Sequence, residues 1–501
     1  MKYQYKSIWD KSITDNTNYN TLKNDISTNV CIIGGGITGI STGYYLYKNN
    51  IDFIVLERNN ICDNTTKFSS AKITSQHSLI YHNLAKKYGI TKAKQYLYSN
   101  NDAIKNIQEI ILKENIECDF KLQDSYVFTK KEQFIKNIND EYSTLLKLNF
   151  KDVELQNSID LLPDVKKAIK FKNQAQFNPK KYCIGLSKVI KKNIFEKTNV
   201  KKIIRKGSKY LILTDSNKIL CNKVILCTHF PIKDIPGFYF LKMYQDTSYI
   251  IAVDIGNNIF DGMYINFEDP TISIRSTNIN DKNILLISGN NIKTGSILNE
   301  NKYTYLENIA KSLYPDCKII QYWNTQDCIT LDKLPYIGKF SNLYPNIYIA
   351  TGFNKWGMTT SNVAANILKD KILNKKNIYE DIYTATRFHI LKNFNQVYLN
   401  INQTIKSEII NKLKIKSDKL ENIPINTGKI IKLNNINIGV YKDKNNIIHK
   451  INPYCSHLKC LLTFNSQDKT WDCPCHGSRF DIDGNLLNGP ANKNIKIDKK
   501  Q

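Results

Sequence analysis

Arginine is scarce in this chain of 501 residues. It occurs at positions 58, 205, 275, 387 and 479, so lysine supplies nearly all of the positive charge behind a formal net charge of +26. The lysines are spread along the chain, without the basic stripe interleaved with aromatic residues that typically binds nucleic acid. We therefore expect a solvated surface and no nucleic-acid partner.

Long apolar runs are also missing. The chain has no stretch of about 18 consecutive apolar residues, so no membrane span is expected. The N-terminal sequence MKYQYKSIWDKS lacks the apolar core of a signal peptide. These absences predict a cytoplasmic protein.

Cysteine, by contrast, is unevenly placed. The motifs CSHLKC (455–460) and CPCHGS (473–478) hold four cysteines and two histidines within 22 positions. The other eight cysteines show no close pairing in the sequence, so we expect them to be reduced thiols. They lie at positions 31, 62, 118, 183, 221, 227, 317 and 328.

The two motifs indicate a metal site, because thiolates and imidazoles at short fixed spacings suit zinc or an iron–sulfur cluster. A tetrahedral zinc site could use Cys455, His457, Cys473 and His476, and it would not require the other two cysteines. A Rieske-type [2Fe-2S] centre accounts for all six residues, with two thiolates on one iron and two imidazoles on the other.

The chain from about residue 422 to its end resembles the Rieske domain of the cytochrome bc and b6f type. CSHLKC stands in place of the family's CTHLGC, CPCHGS is unchanged, and GNLLNGPA (484–491) is similar to the proline-containing loop that covers the cluster. The resemblance implies that the two cysteines and two histidines named above as zinc ligands bind the iron atoms instead.

The same resemblance assigns the other residues of the two loops. Cys460 and Cys475 would form a disulfide that joins the loops, and Ser478 would hydrogen-bond a cluster sulfur. Phe480 stands where many high-potential relatives have a tyrosine, and fewer donors to sulfur lower the reduction potential. Lys459 replaces a glycine, which puts the backbone of the first loop in question. We expect an intermediate to low potential for this type of cluster.

Near the N-terminus, NVCIIGGGITGISTGYYLYKNNIDFIVLER (29–58) predicts a buried strand, a glycine-rich turn, a helix and a second strand. Gly34 permits a tight turn, Gly36 lets the backbone approach a pyrophosphate, and Gly39 lets the helix pack closely on the strand. Glu57 ends the second strand, 21 residues after Gly36, where it can accept hydrogen bonds from a ribose. This pattern predicts a dinucleotide-binding site.

Residues 1–375 resemble the D-amino-acid-oxidase/glycine-oxidase class of FAD oxidoreductases, and more narrowly a bacterial branch with a C-terminal Rieske domain. The dinucleotide is therefore expected to be FAD. The segments that carry the resemblance are SSAKITSQHSLIY (69–81), FNPKKYCIGLSKVI (177–190), KVILCTHFPI (223–232), SIRS (273–276) and LDKLPYIGKFSNLYPNIYIATGFNKWGMTTS (331–361).

The resemblance implies further FAD contacts along the chain. They are Ser69, Ser70 and Lys72 after the second strand, Val200 beside the adenine, Thr228 at the end of a strand, and Gly352, Gly357, Met358 and Thr359 in the turn against the flavin. His229, next to Thr228, is as consistent with a structural hydrogen bond as with a catalytic role.

Substrate residues are less clearly marked. Many amino-acid oxidases of this class hold the substrate carboxylate with an arginine where this chain has Gln326 and Asp327, which favours an amine or another neutral or cationic substrate. Arg275 is the remaining candidate for a carboxylate clamp, with a surface ion pair as the alternative. Trp356 could shield the flavin ring or fill the core. No acid–base pair is evident, and hydride transfer to flavin requires orientation and a neutral amine more than a protein base.

The predicted fold is an α/β FAD-binding fold, Rossmann-like and doubly wound, with an inserted α+β substrate domain and a C-terminal all-β Rieske domain. The FAD module covers 1–378. Its FAD-binding segments are expected at about 28–90, 170–235 and 330–375, and its substrate domain at about 91–165, mainly helical, and 240–325, rich in strands. Residues 379–420 are expected to form a helical connector and 421–501 the Rieske domain.

The expected function is that of an enzyme, an FAD-dependent oxidoreductase. It would oxidise a small amine or amino-acid-like substrate by hydride transfer to FAD and pass single electrons through the cluster to an unknown acceptor protein. Two alternatives stay open. One is a reductase that receives electrons from a donor protein through the cluster, and the other is a non-enzymatic electron-transfer or redox-sensing protein.

Overall fold

The computed structural model describes residues 6–13, 18–298, 300–387 and 415–497. Its α-helices are α1 (Ile37–Tyr47), α2 (Thr65–Phe68), α3 (Tyr81–Tyr88), α4 (Ile90–Lys113), α5 (Ile135–Lys147), α6 (Pro179–Val189), α7 (Lys302–Leu313), α8 (Gly357–Ile372) and α9 (Glu380–Tyr383). Within the part of the chain that is described, no helix combines the length and apolar character needed to cross a membrane.

The strands of the FAD module are β1 (Ile26–Ile33), β2 (Phe53–Leu56), β3 (Lys72–Ile73), β4 (Lys121–Thr129), β5 (Val153–Gln156), β6 (Lys167–Gln176), β7 (Ile194–Phe195), β8 (Lys202–Lys206), β9 (Lys209–Leu213), β10 (Lys218–Leu226), β11 (Met243–Asp254), β12 (Met263–Asn266), β13 (Ile272–Ile279), β14 (Lys282–Lys293), β15 (Lys318–Thr330), β16 (Tyr336–Ser341) and β17 (Tyr344–Thr351). Those of the C-terminal domain are β18 (Thr427–Leu433), β19 (Ile436–Lys442), β20 (Ile448–Ile451), β21 (Thr463–Asn465), β22 (Thr470–Asp472), β23 (Arg479–Phe480) and β24 (Leu486–Asn488).

The first sheet has the order β16–β17–β10–β1–β2–β7, and its five strands from β17 to β7 run parallel. Its central strands are short apolar runs because both of their faces are covered. In β1, Val30 and Ile32 pack into the core cluster that contains α1 and α8, whereas Cys31 and Ile33 pack into a second cluster with the hairpin of β8 and β9. This is the doubly wound arrangement that the sequence predicts.

The second sheet has the order β15–β11–β14–β13–β12–β4–β6–β3, with β5 paired to β6. It differs from the expected segments in two ways. β3 and most of β6 lie in stretches assigned to FAD binding, yet they pair with each other and join this sheet. β4 and β5 interrupt a segment that was expected to be mainly helical. These pairings join strands far apart in the chain, so local sequence patterns do not reveal them.

The C-terminal domain is all β, as predicted, with one sheet of β18–β19–β20 and another of β21–β22–β23–β24. The first cysteine motif lies in the loop between β20 and β21, and the second between β22 and β23. Of the predicted helical connector, α9 and a 3-10 turn at Leu420–Asn422 are present. Its residues 388–414 lie outside the described residues.

The three glycines of the turn between β1 and α1 differ in how much space surrounds them. A Cβ on Gly34, whose φ is 110°, would lie 2.4 Å from the carbonyl oxygen of Cys227. A Cβ on Gly39 would lie 1.9 Å from the carbonyl oxygen of Gly34, so α1 packs directly on the strand. A Cβ on Gly36 would meet only the Thr66 hydroxyl, at 3.3 Å. The fold therefore requires glycine at positions 34 and 39, whereas a Cβ at position 36 would not clash with the backbone.

We expect the Gly36→Ala variant to fold but to lose bound flavin, because Gly36 borders the cavity at the carboxyl ends of the strands. Gly34→Ala should prevent the module from folding, since both the clash and the positive φ oppose a side chain. The ratio of flavin to protein absorbance and the thermal denaturation of each variant test this. A wild-type flavin content in Gly36→Ala would contradict the assignment.

The prediction that the eight scattered cysteines are reduced is wrong for two of them. Cys62, in the loop after β2, and Cys183, in α6, form a disulfide across a sequence separation of 121 residues. No spacing rule connects residues that far apart, because only the packing of α6 against this loop brings them together. The disulfide between Cys460 and Cys475, which the family resemblance implied, is present as well.

The link between Cys62 and Cys183 should stabilise the FAD module measurably. Closing a loop of this length is worth about 4–5 kcal/mol in the chain-entropy model. Cys183→Ser should therefore lower the apparent free energy of unfolding without reductant, and reductant should abolish the difference. Cys118→Ser, which changes a buried free cysteine, is the matched control. Equal denaturation midpoints for Cys183→Ser and the wild type without reductant would contradict the link.

Candidate functional site

A cavity opens at the carboxyl ends of the parallel strands of the first sheet, where ligands of doubly wound folds bind. Five of its walls come from the FAD module and one from the C-terminal domain. The walls are the glycine-rich turn, the loop at 57–66, residues 198–200, the strand ends at 227–232 and 350–358, and residues 488–491.

Eight of the predicted FAD contacts line this cavity. They are Gly34, Gly36, Glu57, Val200, Thr228, Gly352, Gly357 and Met358. They come from five separate stretches of the chain, and the sheet brings them to one edge because the strands before them are parallel neighbours. The cavity thus runs from the glycine-rich turn, where the pyrophosphate is expected, to the start of α8.

Glu57 does more than border the cavity. One carboxylate oxygen accepts a hydrogen bond from the backbone N–H of Gly35 at 2.8 Å, and the other accepts from the N–H of Asn59 at 2.9 Å. The side chain therefore holds the glycine-rich turn and the start of the following loop in place, in addition to the ribose contact expected from the sequence.

Five predicted FAD contacts lie outside the lining residues. Gly39 serves the packing of α1. The Ser69 carbonyl accepts from the Trp9 indole, and the Ser70 carbonyl accepts from Arg275. The Lys72 ammonium donates to the Tyr264 carbonyl at 3.1 Å, and burial lowers its pKa to about 7.

The fifth, Thr359, ties α8 to the segment after β3. Its hydroxyl accepts from the backbone N–H of Thr74 and donates to the Thr74 carbonyl. The flavin contacts of Ser69, Ser70 and Lys72 stay a prediction from the family resemblance. The lining residues of this stretch are at 58–66, a polar run directly after β2, and Thr66 accepts a hydrogen bond there from the N–H of Ile37 at the start of α1. That polar run was the available signal.

Two titratable side chains face the cavity near the flavin turn. His229 has a φ of 65°, and its buried Nε2 has no hydrogen-bond partner among the described residues. Burial lowers the pKa of His229 to about 4, so the imidazole is neutral. Burial also raises the pKa of Asp327 to about 6; nearby Lys355 opposes this rise and Asp246 reinforces it. Asp327 thus places a carboxylate in the cavity.

The three suggested substrate residues lie elsewhere. The Arg275 guanidinium is fully buried, and each of its three nitrogens donates to a backbone carbonyl, those of Ser70, Ser276 and Phe177. Gln326 points to the opposite side of β15 from Asp327 and contacts the C-terminal domain. Trp356 stacks on His77, with ring centroids 4.7 Å apart. None of the three is among the cavity-lining residues.

The two cysteine motifs of the C-terminal domain converge. The rings of His457 and His476 lie 5.1 Å apart, and the thiols of Cys455 and Cys473 are buried. A hydrogen bond from Cys473 lowers the pKa of Cys455 to about 6, and the same contact raises that of Cys473, so the two sulfur atoms are close neighbours. Two thiols and two imidazoles from the two loops therefore lie in the same region of the domain.

Further features of the two loops fit a Rieske cluster. His476 has a buried Nδ1 without a partner in the described part of the chain, and burial lowers its pKa to about 3, which keeps the imidazole neutral as a metal ligand requires. The Ser478 hydroxyl accepts a hydrogen bond at 2.9 Å from the backbone N–H of Ala491 in the proline-containing loop, and the Ser478 side chain helps to lower the pKa of the Cys455 thiol. Lys459 adopts a φ of 62°, which lies in the left-handed region that favours glycine.

The cavity and the cysteine–histidine cluster share a wall. Asn488, Gly489, Pro490 and Ala491, from the proline-containing loop, border the cavity directly. Gln245 of β11, another lining residue, donates its amide N–H groups to the carbonyl of His476 at 2.9 Å and to that of Gly489 at 2.7 Å. One side chain therefore connects the cavity with a ligand loop of the cluster.

The surrounding domain contact is tightly packed. A Cβ on Gly477 would lie 2.6 Å from the Cβ of Gln245, and a Cβ on Gly295 would lie 2.4 Å from the backbone nitrogen of Pro474. The buried Arg479 guanidinium donates to Asn324 of β15 at 2.7 Å and forms ion pairs within its own domain. Glycines on both sides allow an approach that larger residues would prevent.

Comparisons with known proteins agree with both sites. Residues 29–371 match the model of the DAO family, described as FAD dependent oxidoreductase, and residues 415–498 match the Rieske [2Fe-2S] domain. The chain is 36% identical to the Rieske 2Fe-2S iron-sulfur protein YhfW of Bacillus subtilis, over 98% of this chain and 97% of that protein. It is 20% identical to gamma-glutamylputrescine oxidoreductase of Escherichia coli, over 70% of this chain and 85% of that protein.

Among solved structures, glycine oxidase from Geobacillus kaustophilus superposes with a TM-score of 0.61, covering 72% of this chain and 99% of that one at 15% sequence identity. Identity at that level shows a shared fold, and the family matches extend the conclusion to the cofactors. The chain belongs to the DAO family of FAD-dependent oxidoreductases and carries a C-terminal Rieske domain, so its cofactors are FAD and a [2Fe-2S] cluster.

Proposed function

We propose that this protein is a dehydrogenase that oxidises a small amine or amino-acid-like substrate, bound as a cation, and transfers the electrons through the Rieske centre to an acceptor protein. When bound, FAD accepts two electrons as a hydride, whereas the cluster carries one electron at a time. The observation that carries the proposal is the wall shared by the flavin cavity and the cluster loops. A cluster would be superfluous if oxygen reoxidised the flavin directly.

The charge in the cavity supports a cationic substrate. Asp327 is a lining residue at the flavin end, in the stretch where many amino-acid oxidases of the class have an arginine. Arg275, the alternative clamp for a carboxylate, is occupied by backbone carbonyls. An ammonium group would satisfy the Asp327 carboxylate, whereas a carboxylate placed there would meet a like charge. The ammonium must give up one proton before a hydride leaves the neighbouring carbon, and the Asp327 carboxylate, whose pKa is raised to about 6, is the acceptor that this chain supplies.

The chain's own groups supply orientation in this proposal. His229 is neutral above its lowered pKa, so it can exchange a hydrogen bond with a bound molecule through the unpartnered Nε2. The proline-containing loop closes one side of the cavity and reduces its contact with water. Positioning of this kind accounts for much of the catalysis in a hydride transfer.

The first test is anaerobic mixing of the purified protein with pools of amines, amino acids or nicotinamide nucleotides. We expect an amine pool to bleach the flavin spectrum, followed by a Rieske signal in low-temperature EPR. Reduction of the cluster by an external donor before the flavin, with no pool reducing the flavin, would contradict the proposal and favour a reductase or a redox sensor.

Replacing a cluster ligand should separate the two redox steps. His476→Ala should remove the Rieske EPR signal and greatly slow dye reduction during turnover, while the flavin is still bleached by substrate under anaerobic conditions. His449→Ala is the matched control, because His449 lies in the same domain and bonds Asp483 rather than the cluster site. Unchanged dye reduction in His476→Ala would refute transfer through the cluster.

Asp327→Asn tests the proposed substrate contact. We expect a KM for the amine raised about 10- to 100-fold, since a charge-assisted hydrogen bond contributes about 1.5–3 kcal/mol. The free energy of unfolding should increase, although substrate binding weakens. The pKa of Asp327 is about 6 in the folded protein against 3.8 as the ordinary value, so the protonated form favours folding below pH 3.8 and this contribution is lost as the pH rises through 6.

Above pH 6 the wild type therefore carries a half-buried charge that asparagine lacks. The variant should gain on the order of 1–3 kcal/mol relative to the wild type between pH 4 and pH 8, since one pKa unit corresponds to about 1.4 kcal/mol. Denaturant unfolding of both proteins at the two pH values measures the gain. If the gain in the free energy of unfolding were equal at pH 4 and pH 8, the titration of the Asp327 carboxylate could not be its cause.

A further inference from the structure

We propose that Asp234 of the FAD module is a positioning residue for the cluster ligand His457. Its carboxylate holds the imidazole across the domain contact, lowers the reduction potential of the Rieske cluster and fastens the Rieske domain to the flavin cavity. This inference requires the cluster but is independent of the substrate and of the direction of electron flow.

The hydrogen bond joins residues that are 223 positions apart. The Oδ2 atom of Asp234 lies 2.7 Å from the Nε2 atom of His457, and the two side chains are only 18% and 13% exposed. Because Nε2 faces the carboxylate, Nδ1 is the ring nitrogen left to bind iron. The carboxylate and the metal site therefore occupy opposite ends of one imidazole, as in the carboxylate–histidine pairs of many metal centres.

The carboxylate comes from a loop that also reaches the flavin cavity and the second histidine ligand. Pro231 and Ile232, a few residues before Asp234, line the cavity. Phe240, near the end of the loop, packs edge-on against the ring of His476, with centroids 5.7 Å apart. The loop between β10 and β11 thus contacts the cavity and both imidazoles.

The domain contact fixes this loop relative to the cluster. Close packing at Gly295 and Gly477 leaves little room for sliding, and the buried Gln245 and Gln326 both donate to carbonyls of the second ligand loop. The bond between Asp234 and His457 therefore lies at the edge of a contact that is already held at several points, and its geometry does not depend on an exposed, mobile side chain.

The physical consequence is a coupling between docking and redox state. A carboxylate on the distal nitrogen raises the electron density of the ligating nitrogen and stabilises the more positive, oxidised cluster. The reduction potential in the docked state is therefore lower than it would be without Asp234. By linkage, the oxidised Rieske domain binds the FAD module more tightly than the reduced one.

The test is a redox titration of the full-length holoprotein, with the cluster followed by EPR. Asp234→Asn keeps a hydrogen-bond acceptor but removes the charge, and Asp234→Ala removes both. We expect the midpoint potential to shift upward in both variants and to return toward the wild-type value in Asp234→Glu. The control is Asp483→Asn, which makes the same change beside His449, a non-ligand histidine bonded at 2.7 Å.

A second measurement uses the wild type alone. Amide hydrogen exchange at 488–491 and along β15 should be faster in the reduced holoprotein than in the oxidised one if reduction weakens docking. Equal exchange in both states, or a potential in Asp234→Asn that matches those of the wild type and Asp483→Asn, would overturn the proposal. Neither readout uses turnover, so failure here is distinguishable from failure of the proposed dehydrogenase activity.

Discussion

Close packing between the Rieske domain and the edge of the second sheet is the constraint on which the rest of the structure depends. The backbone at Gly477 approaches β11 so closely that a methyl group would clash with Gln245, and Gly295 does the same beside Pro474. This approach brings the proline-containing loop to the flavin cavity and lets Gln245 bond two cluster-domain carbonyls at once. A looser contact would leave two separate redox sites on one chain.

The polar groups of this contact give it a defined register. Gln245, Gln326 and Arg479 are almost completely buried, and each donates across the domain boundary to a specific oxygen. A buried donor that loses its partner carries the full desolvation penalty, so a shifted register is unfavourable. Both candidate ligand histidines face the FAD module at this contact, His457 through Asp234 and His476 through Phe240.

Charge placement shows a conflict between stability and function. The Asp327 carboxylate lies half-buried in the cavity wall, where the loss of hydration disfavours its charged form, and the Asp234 carboxylate is held at a domain edge against a ligand imidazole. Neither charged side chain is placed where it would contribute most to the stability of the fold. Each makes sense if the charge acts on something the FAD module binds, a cationic substrate in one case and a metal-bound histidine in the other.

Both cofactors were predictable from the sequence alone, because the signals are local. The glycine spacing between a strand and a helix, and the cysteines and histidines in two short loops, lie within a few turns of chain. Tertiary structure alone decided how the sites are completed. Packing between distant segments decides the lining loop at 58–66, the disulfide between Cys62 and Cys183, the hydrogen bonds of Arg275 to carbonyls, the orientation of Asp327 and the contact of Asp234 with His457. A local sequence pattern cannot predict these contacts, because it does not show which distant groups meet.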